Sequence, residues 1–116
     1  MFQLTNINEI PDGLSKLITN KLTNMRGLFS KCTNLEKVNP DRIKFCNKTQ
    51  NVKDMSFLFN GCIKLRKIEL KSFRDWDVRK VEDMSYMFNR CINIQEINGI
   101  NRWNAYSLKN VLQYVQ

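Results

Sequence analysis

Cysteine is the residue type with the most reactive side chain in this chain of 116 residues, which has four cysteines and no histidine. Cys32, Cys62 and Cys91 follow one another at intervals of 30 and 29 residues, whereas Cys46 is out of that phase. A zinc site would use closely paired cysteines or histidine, and a thiol nucleophile would need a base beside it. We therefore expect the three in-phase cysteines to be buried, reduced and stacked, with Cys46 filling a loop. A disulfide or a metal site between stacked cysteines remains the alternative.

Carboxylates give no better candidate for catalysis. Asp54 and Asp83 recur at one position of a repeat, and Asn51 followed three residues later by Asp54 resembles the capping box that begins a helix. Capping explains both aspartates, and the four glycines are too scattered for a phosphate-binding loop. The sequence therefore predicts no catalytic residue, no metal, no cofactor and no enzymatic activity.

The elements that position these residues follow from a repeat of 29 to 30 residues. Segment 52–68 returns almost unchanged as 81–97, and a looser version runs from 22 to 38. We divide the single domain into a partial repeat (1–21), three full repeats (22–51, 52–80 and 81–110) and a second partial repeat (111–116). Because one such unit cannot bury its own apolar face, the repeats are expected to stack into a solenoid.

Each repeat contains two patterns. With its first residue counted as zero, apolar side chains occupy positions 0, 3, 6, 7 and 10, which is the spacing of a helix. After the cysteine, Leu65-x-x-Ile68-x-Leu70 is typical of the strand in leucine-rich repeats. The prediction is an α/β fold, a leucine-rich-repeat-like solenoid of short parallel strands and helices.

The pattern V-x-D-M-S-x-M-F-x-x-C-x-x-L-x-x-I also resembles the BspA-type repeat, a divergent leucine-rich repeat of bacterial and protist surface proteins. The resemblance covers residues 22–116 and implies adhesion or partner binding. The N-terminus lacks the features of a signal peptide, and no apolar run is long enough to cross a membrane. We therefore expect a cytoplasmic protein without membrane insertion, or a cell-surface protein if the chain is part of a longer exported one.

Three surfaces are candidates for binding. On the predicted helix, Phe57 and Tyr86 share an outward position edged by Lys31 and Arg90, a combination typical of protein-binding hot spots. The strand face is mixed in sign, which suits a protein partner, and its candidate residues are Lys37, Arg66, Lys67, Glu69 and Glu96. The segments that return from strand to helix form a basic, anion-binding flank with Arg42, Lys44, Lys48, Lys71, Arg74, Arg79, Lys80 and Arg102.

The favoured function is a non-enzymatic protein-binding repeat module that acts by docking or occlusion. The net charge of +8 leaves an alternative, a small phage or mobile-element inhibitor, similar to an anti-CRISPR protein, that docks its basic flank on a nucleoprotein or nucleic acid. Terminal repeats without polar caps also make a homo-oligomer an expected possibility.

Overall fold

A parallel sheet runs through the chain. The structure is a computed structural model that describes residues 7–10, 21–38, 49–69 and 78–98. The strands are β1 (Lys37–Val38), β2 (Lys67–Glu69) and β3 (Glu96–Asn98), paired in the order β1-β2-β3. Equivalent residues of the repeat face one another, as Val38 does with Ile68 and Ile68 with Ile97. The predicted strands and their parallel pairing are confirmed. We refer to segments 22–38, 52–68 and 81–97 as copies 1, 2 and 3.

The predicted helices are wrong, because the described residues contain no helix and turns occupy that part of each copy. An α-helix joins each N–H to the carbonyl four residues before it. Here the N–H of Leu28 bonds to the carbonyl of Met25 at 3.2 Å, only three residues back, and Ser30 bonds to Gly27 in the same way at 3.0 Å. Each copy is thus a run of tight turns that leads into a short strand.

The turns of neighbouring copies are joined by backbone hydrogen bonds. Every second N–H in copy 1 donates to a carbonyl of copy 2, from Met25 to Asp54 at 2.8 Å through to Lys31 to Asn60 at 2.7 Å. Copy 2 donates to copy 3 at the equivalent positions. Single parallel bridges also pair Asn24 with Asp54 and Asp54 with Asp83. Equivalent residues of the three copies therefore lie side by side through the turns as well as the sheet.

Two positions in each copy have a left-handed backbone, which a helix interior excludes. The first turn position holds Gly27, Phe57 and Tyr86, with φ of 65°, 58° and 58°. The second turn position holds Lys31, Gly61 and Arg90, with φ of 63°, 77° and 63°. Glycine adopts this conformation without steric cost, and one copy uses it at each position.

Side chains of the same type form ladders in the core. The rings of Phe29, Phe59 and Phe88 stack in parallel, with centroids 5.4 Å and 5.7 Å apart. The cysteine ladder lies beside them, and Cys62 donates its thiol hydrogen to the carbonyl of Phe29 at 3.1 Å. Cys32, Cys62 and Cys91 are buried and free, which confirms their predicted packing, whereas Cys46 lies outside the described residues.

No helix among the described residues has the length and apolar character needed to cross a membrane.

Candidate functional site

Phe57 and Tyr86 come together, although not on a helix. Both occupy the first turn position, where each is half-buried. Their rings stack with centroids 4.9 Å apart and planes 12° from parallel. The predicted pairing of these two aromatic residues is thus present in the structure, and tight turns with inter-copy hydrogen bonds hold it in place.

Lys31 and Arg90 occupy the second turn position and are exposed. Gly61 stands between them in the order of the copies, and a methylene of Lys31 lies 3.6 Å from where a Cβ on Gly61 would be. The lysine side chain therefore passes across the space that the glycine leaves. No carboxylate among the described residues forms a salt bridge with Lys31 or Arg90.

Arg26 is a surface residue that the sequence patterns did not single out. Its guanidinium carbon lies 4.6 Å from the centroid of the Phe57 ring, and its Nη1 donates to the hydroxyl of Ser56 at 3.0 Å. Copy 1 has Gly27 at the first turn position, so no third aromatic ring stacks on Phe57 from that side and the guanidinium takes its place. We call Arg26, Phe57 and Tyr86 the Arg–aromatic column.

Aspartates close the turns that lead into this column. Asp83 Oδ1 accepts hydrogen bonds from the backbone N–H of Ser85 at 2.9 Å and from its hydroxyl at 2.6 Å, and Asp54 accepts the same pair of bonds from Ser56. Because these carboxylates bond two residues onward and no helix follows, the predicted capping role is replaced by Asx turns. The Ser85 hydroxyl, the Ser85 N–H and the charge of Arg26 lower the pKa of Asp83.

This pKa shift predicts that Asp83 stabilises the fold at neutral pH. A carboxyl whose pKa is lower in the folded state adds stability above its unfolded pKa of 3.8, and loses it as the pH falls through the lower folded value. Asp83→Asn keeps an acceptor for the turn, as Asn24 does in copy 1, and removes the titration. We expect the acid-induced loss of stability, measured by urea unfolding from about pH 6 down to about pH 2, to be shallower in Asp83→Asn than in the wild type.

The matched control for this experiment is Glu82→Gln, which removes the same charge from an adjacent exposed residue. An equally shallow profile in Glu82→Gln would contradict the role of the Asx turn, because net charge alone would then account for the change.

Charges on the strand face pair with one another. Arg66 lies 4.0 Å from Glu36, and Lys67 lies 3.8 Å from Glu96, each pair joining neighbouring copies. Such exposed pairs add at most about 1 kcal/mol of stability and reduce the charge offered to a partner. Lys37 is exposed, and the side chain of Glu69 is not described.

Beside the strand face lies an open polar groove of about 540 Å³, lined by Asn8, Glu9, Asn34, Glu36 and Lys64.

Most of the predicted basic flank falls outside the described residues, namely Arg42, Lys44, Lys48, Lys71, Arg74 and Arg102. Arg79 and Lys80 are described and exposed, and Lys80 Nζ donates to Asn51 Oδ1 at 3.0 Å. The two described members do not by themselves form a continuous basic surface.

The buried thiols are held in the protonated form. The pKa of Cys62 is raised by its hydrogen bond with Cys32 and by burial, and burial raises the pKa of Cys91 to about 11. A protonated thiol is neither a nucleophile nor a metal ligand. Within the described segments, no group of three potential metal-binding side chains occurs.

The described residues define a small parallel β protein in which equivalent residues of three sequence copies lie side by side and carry an exposed Arg–aromatic column. The chain belongs to the DUF285 family, described as Mycoplasma protein of unknown function, whose model matches residues 1–116. This family is related to the BspA-like proteins. Neither the curated proteins nor the solved structures include a significant match.

Proposed function

We propose that the chain is a BspA-type, leucine-rich-repeat-like solenoid that works as a non-enzymatic protein-binding module, acting by docking or occlusion. The pairing of equivalent residues across three copies supports a solenoid, because each copy is bonded to the next in the same register. Such an array presents side chains at fixed spacing on a rigid frame. Binding energy then comes from several contacts made together and requires no chemistry.

The observation that carries this proposal is the presence of aromatic side chains on a backbone that suits glycine. A left-handed conformation costs a residue other than glycine about 1–2 kcal/mol, and Phe57 and Tyr86 both adopt it. Their stacking returns only about 0.5–1.5 kcal/mol beyond burial. Gly27 occupies the equivalent position of copy 1 without that cost. Folding therefore gains little from rings at this position, whereas a half-exposed aromatic pair is typical of binding hot spots.

A protein suits this surface better than a single-stranded nucleic acid does. Proteins that hold single strands stack bases on open aromatic faces. Here Arg26 covers one face of the Phe57 ring and Tyr86 covers the other. The edges of that ring remain for contact, and ring edges pack well against apolar and aromatic side chains of a protein.

The test begins with capture of a partner from lysate of the source cell on the immobilised chain after nuclease treatment. The captured protein is identified, purified and titrated by calorimetry. The double variant Phe57→Gly, Tyr86→Gly removes both rings and leaves residues that suit the backbone, as Gly27 does. We expect it to weaken binding by about thirtyfold or more, the loss expected when hot-spot side chains are removed, with a small change in unfolding free energy.

The matched control is the double variant Ile63→Ala, Ile92→Ala, which removes a second, more exposed pair of apolar side chains, 43% and 59% accessible. Equal losses of affinity in the two double variants would contradict a hot spot at the aromatic pair. Capture that disappears after nuclease treatment would favour the alternative, an inhibitor of a nucleoprotein.

A further inference from the structure

We propose that Arg26 is an anchor for a carboxylate, and that the partner presents an acidic segment in which Asp or Glu stands beside an apolar residue. This inference rests on the proposed function, since it specifies what the partner brings to the Arg–aromatic column. Arg26 would hold the carboxylate while the edges of Phe57 and Tyr86 contact the neighbouring apolar side chain.

The guanidinium of Arg26 is held in place before any partner arrives. Its plane rests over the Phe57 ring at 4.6 Å, and one of its two terminal nitrogens is fixed by the Ser56 hydroxyl at 3.0 Å. Guanidinium groups bind carboxylates through two parallel hydrogen bonds, and stacking on a ring reduces the conformational entropy lost on binding. Nη2 and Nε remain as the pair of donors for such a contact, since each makes no hydrogen bond within the described residues.

No carboxylate of the described residues neutralises Arg26 by a salt bridge. Asp83 is near enough for the arginine charge to lower its pKa, but its Oδ1 already accepts two hydrogen bonds from Ser85. Arg66 and Lys67, by contrast, each have a glutamate within 4.0 Å. Arg26 therefore combines a fixed position with an unneutralised charge, which the cations of the strand face do not.

The wider surface has the charge that an acidic segment needs. Lys31 and Arg90 are exposed in the same run of turns, without a salt bridge among the described residues, and the chain carries a net charge of +8. Charge of this kind raises the rate of encounter with an acidic partner, whereas the stacked arginine beside the rings supplies the specific contact. An acidic polypeptide supplies both the carboxylate and the apolar neighbour, and a phosphate backbone supplies only the anion.

The experiment uses random peptides of about 12 residues displayed on phage and selected on the immobilised wild-type chain. Enriched peptides are synthesised with a fluorescent label and titrated by anisotropy. We expect enrichment of Asp or Glu next to an apolar residue. Arg26→Gln should weaken these peptides about tenfold or more, and Arg26→Lys about fivefold or more, because lysine keeps the charge but lacks the planar pair of donors.

Two controls separate a specific anchor from general charge. Lys53→Gln removes an exposed cation in the same run of turns and should weaken binding less than about twofold, as expected for a cation at the edge of an interface. Peptides with Asn or Gln in place of Asp or Glu should bind the wild type as weakly as the acidic peptides bind Arg26→Gln. That equality makes the losses non-additive, which is the sign of a direct contact between the two groups.

Enrichment without acidic residues, or equal losses in Arg26→Gln and Lys53→Gln, would overturn the anchor. If the double glycine variant at Phe57 and Tyr86 weakens the selected peptides and Arg26→Gln does not, the protein-binding function stands and the role of Arg26 falls. Failure of all these variants to affect the peptides would contradict both proposals. Displacement of the peptides by oligothymidylate with a steep salt dependence would point to a nucleic acid as the partner.

Discussion

Replacing Phe59 with alanine should lower the free energy of unfolding by about 3–5 kcal/mol, the range found for removal of a buried phenylalanine ring. Phe59 is the middle ring of the core ladder, with Phe29 on one side and Phe88 on the other, and only 1% of its surface is exposed. Its removal breaks both stacking contacts and leaves a cavity that rigid neighbouring turns cannot close. For a domain of this size, such a loss is a large part of the total stability.

The measurement is urea unfolding followed by circular dichroism, with two comparison variants. Phe59→Leu keeps most of the apolar volume and should lose less stability than alanine. Phe57→Gly removes a ring from a residue only two positions away, but there the ring is half-buried and the backbone favours glycine, so the loss should be smaller still. Similar losses for Phe57→Gly and Phe59→Ala would contradict the assignment of one ring to the surface and the other to the core.

The strands could be predicted from the sequence because their signal is local and repeated. Leu35, Leu65 and Ile94 each stand three residues before an apolar strand residue, and the constant interval between copies sets the register. Parallel pairing then follows, since the chain must return to the same side of the sheet after each repeat. The structure pairs Lys67 with Lys37 and with Glu96, as that register requires.

The turns could not be distinguished from helices by apolar periodicity alone. In each copy, positions 3, 6, 7 and 10 are buried whether the backbone is helical or folded in successive tight turns. What decides between them is hydrogen bonding to the neighbouring copy, such as that from Phe29 to Leu58 at 2.9 Å, and this is not a local property. The informative signal was the glycine at 27 and at 61, since a position where glycine alternates with Phe, Lys or Arg suggests a left-handed residue.

The aromatic pair of the candidate site was predictable, but Arg26 was not. Phe57 and Tyr86 share one repeat position, so comparison of the copies finds them together. Arg26 stands where copies 2 and 3 have serine, and its contact with Phe57 depends on Gly27 leaving that space open. Comparison of copies favours what they share, whereas this contact arises from a difference between them.

The cysteine ladder should be almost unreactive in the folded protein. In the variant Cys46→Ser, the three remaining thiols should react with an aromatic disulfide reagent at least ~1,000-fold more slowly than in urea, because reaction then requires opening of the core. Cys32, Cys62 and Cys91 are at most 1% exposed. The raised pKa of Cys62 and of Cys91 also keeps the reactive thiolate scarce, even where a reagent could reach the sulfur.

The same ladder predicts sensitivity to alkali. A thiol whose pKa is raised by folding adds stability that is complete below its unfolded pKa of 9.0 and is lost as the pH rises towards the folded value, about 11 for Cys91. Above about pH 9, this thiol should lower the unfolding free energy by ~1.4 kcal/mol for each pH unit. Cys91→Ala removes that contribution, so its stability should fall less steeply than the wild type in urea unfolding between about pH 8 and about pH 10.5. Parallel pH profiles for the two proteins, or rapid labelling of the native thiols, would contradict a closed ladder, because a thiol open to water ionises at its ordinary pKa whether the chain is folded or not.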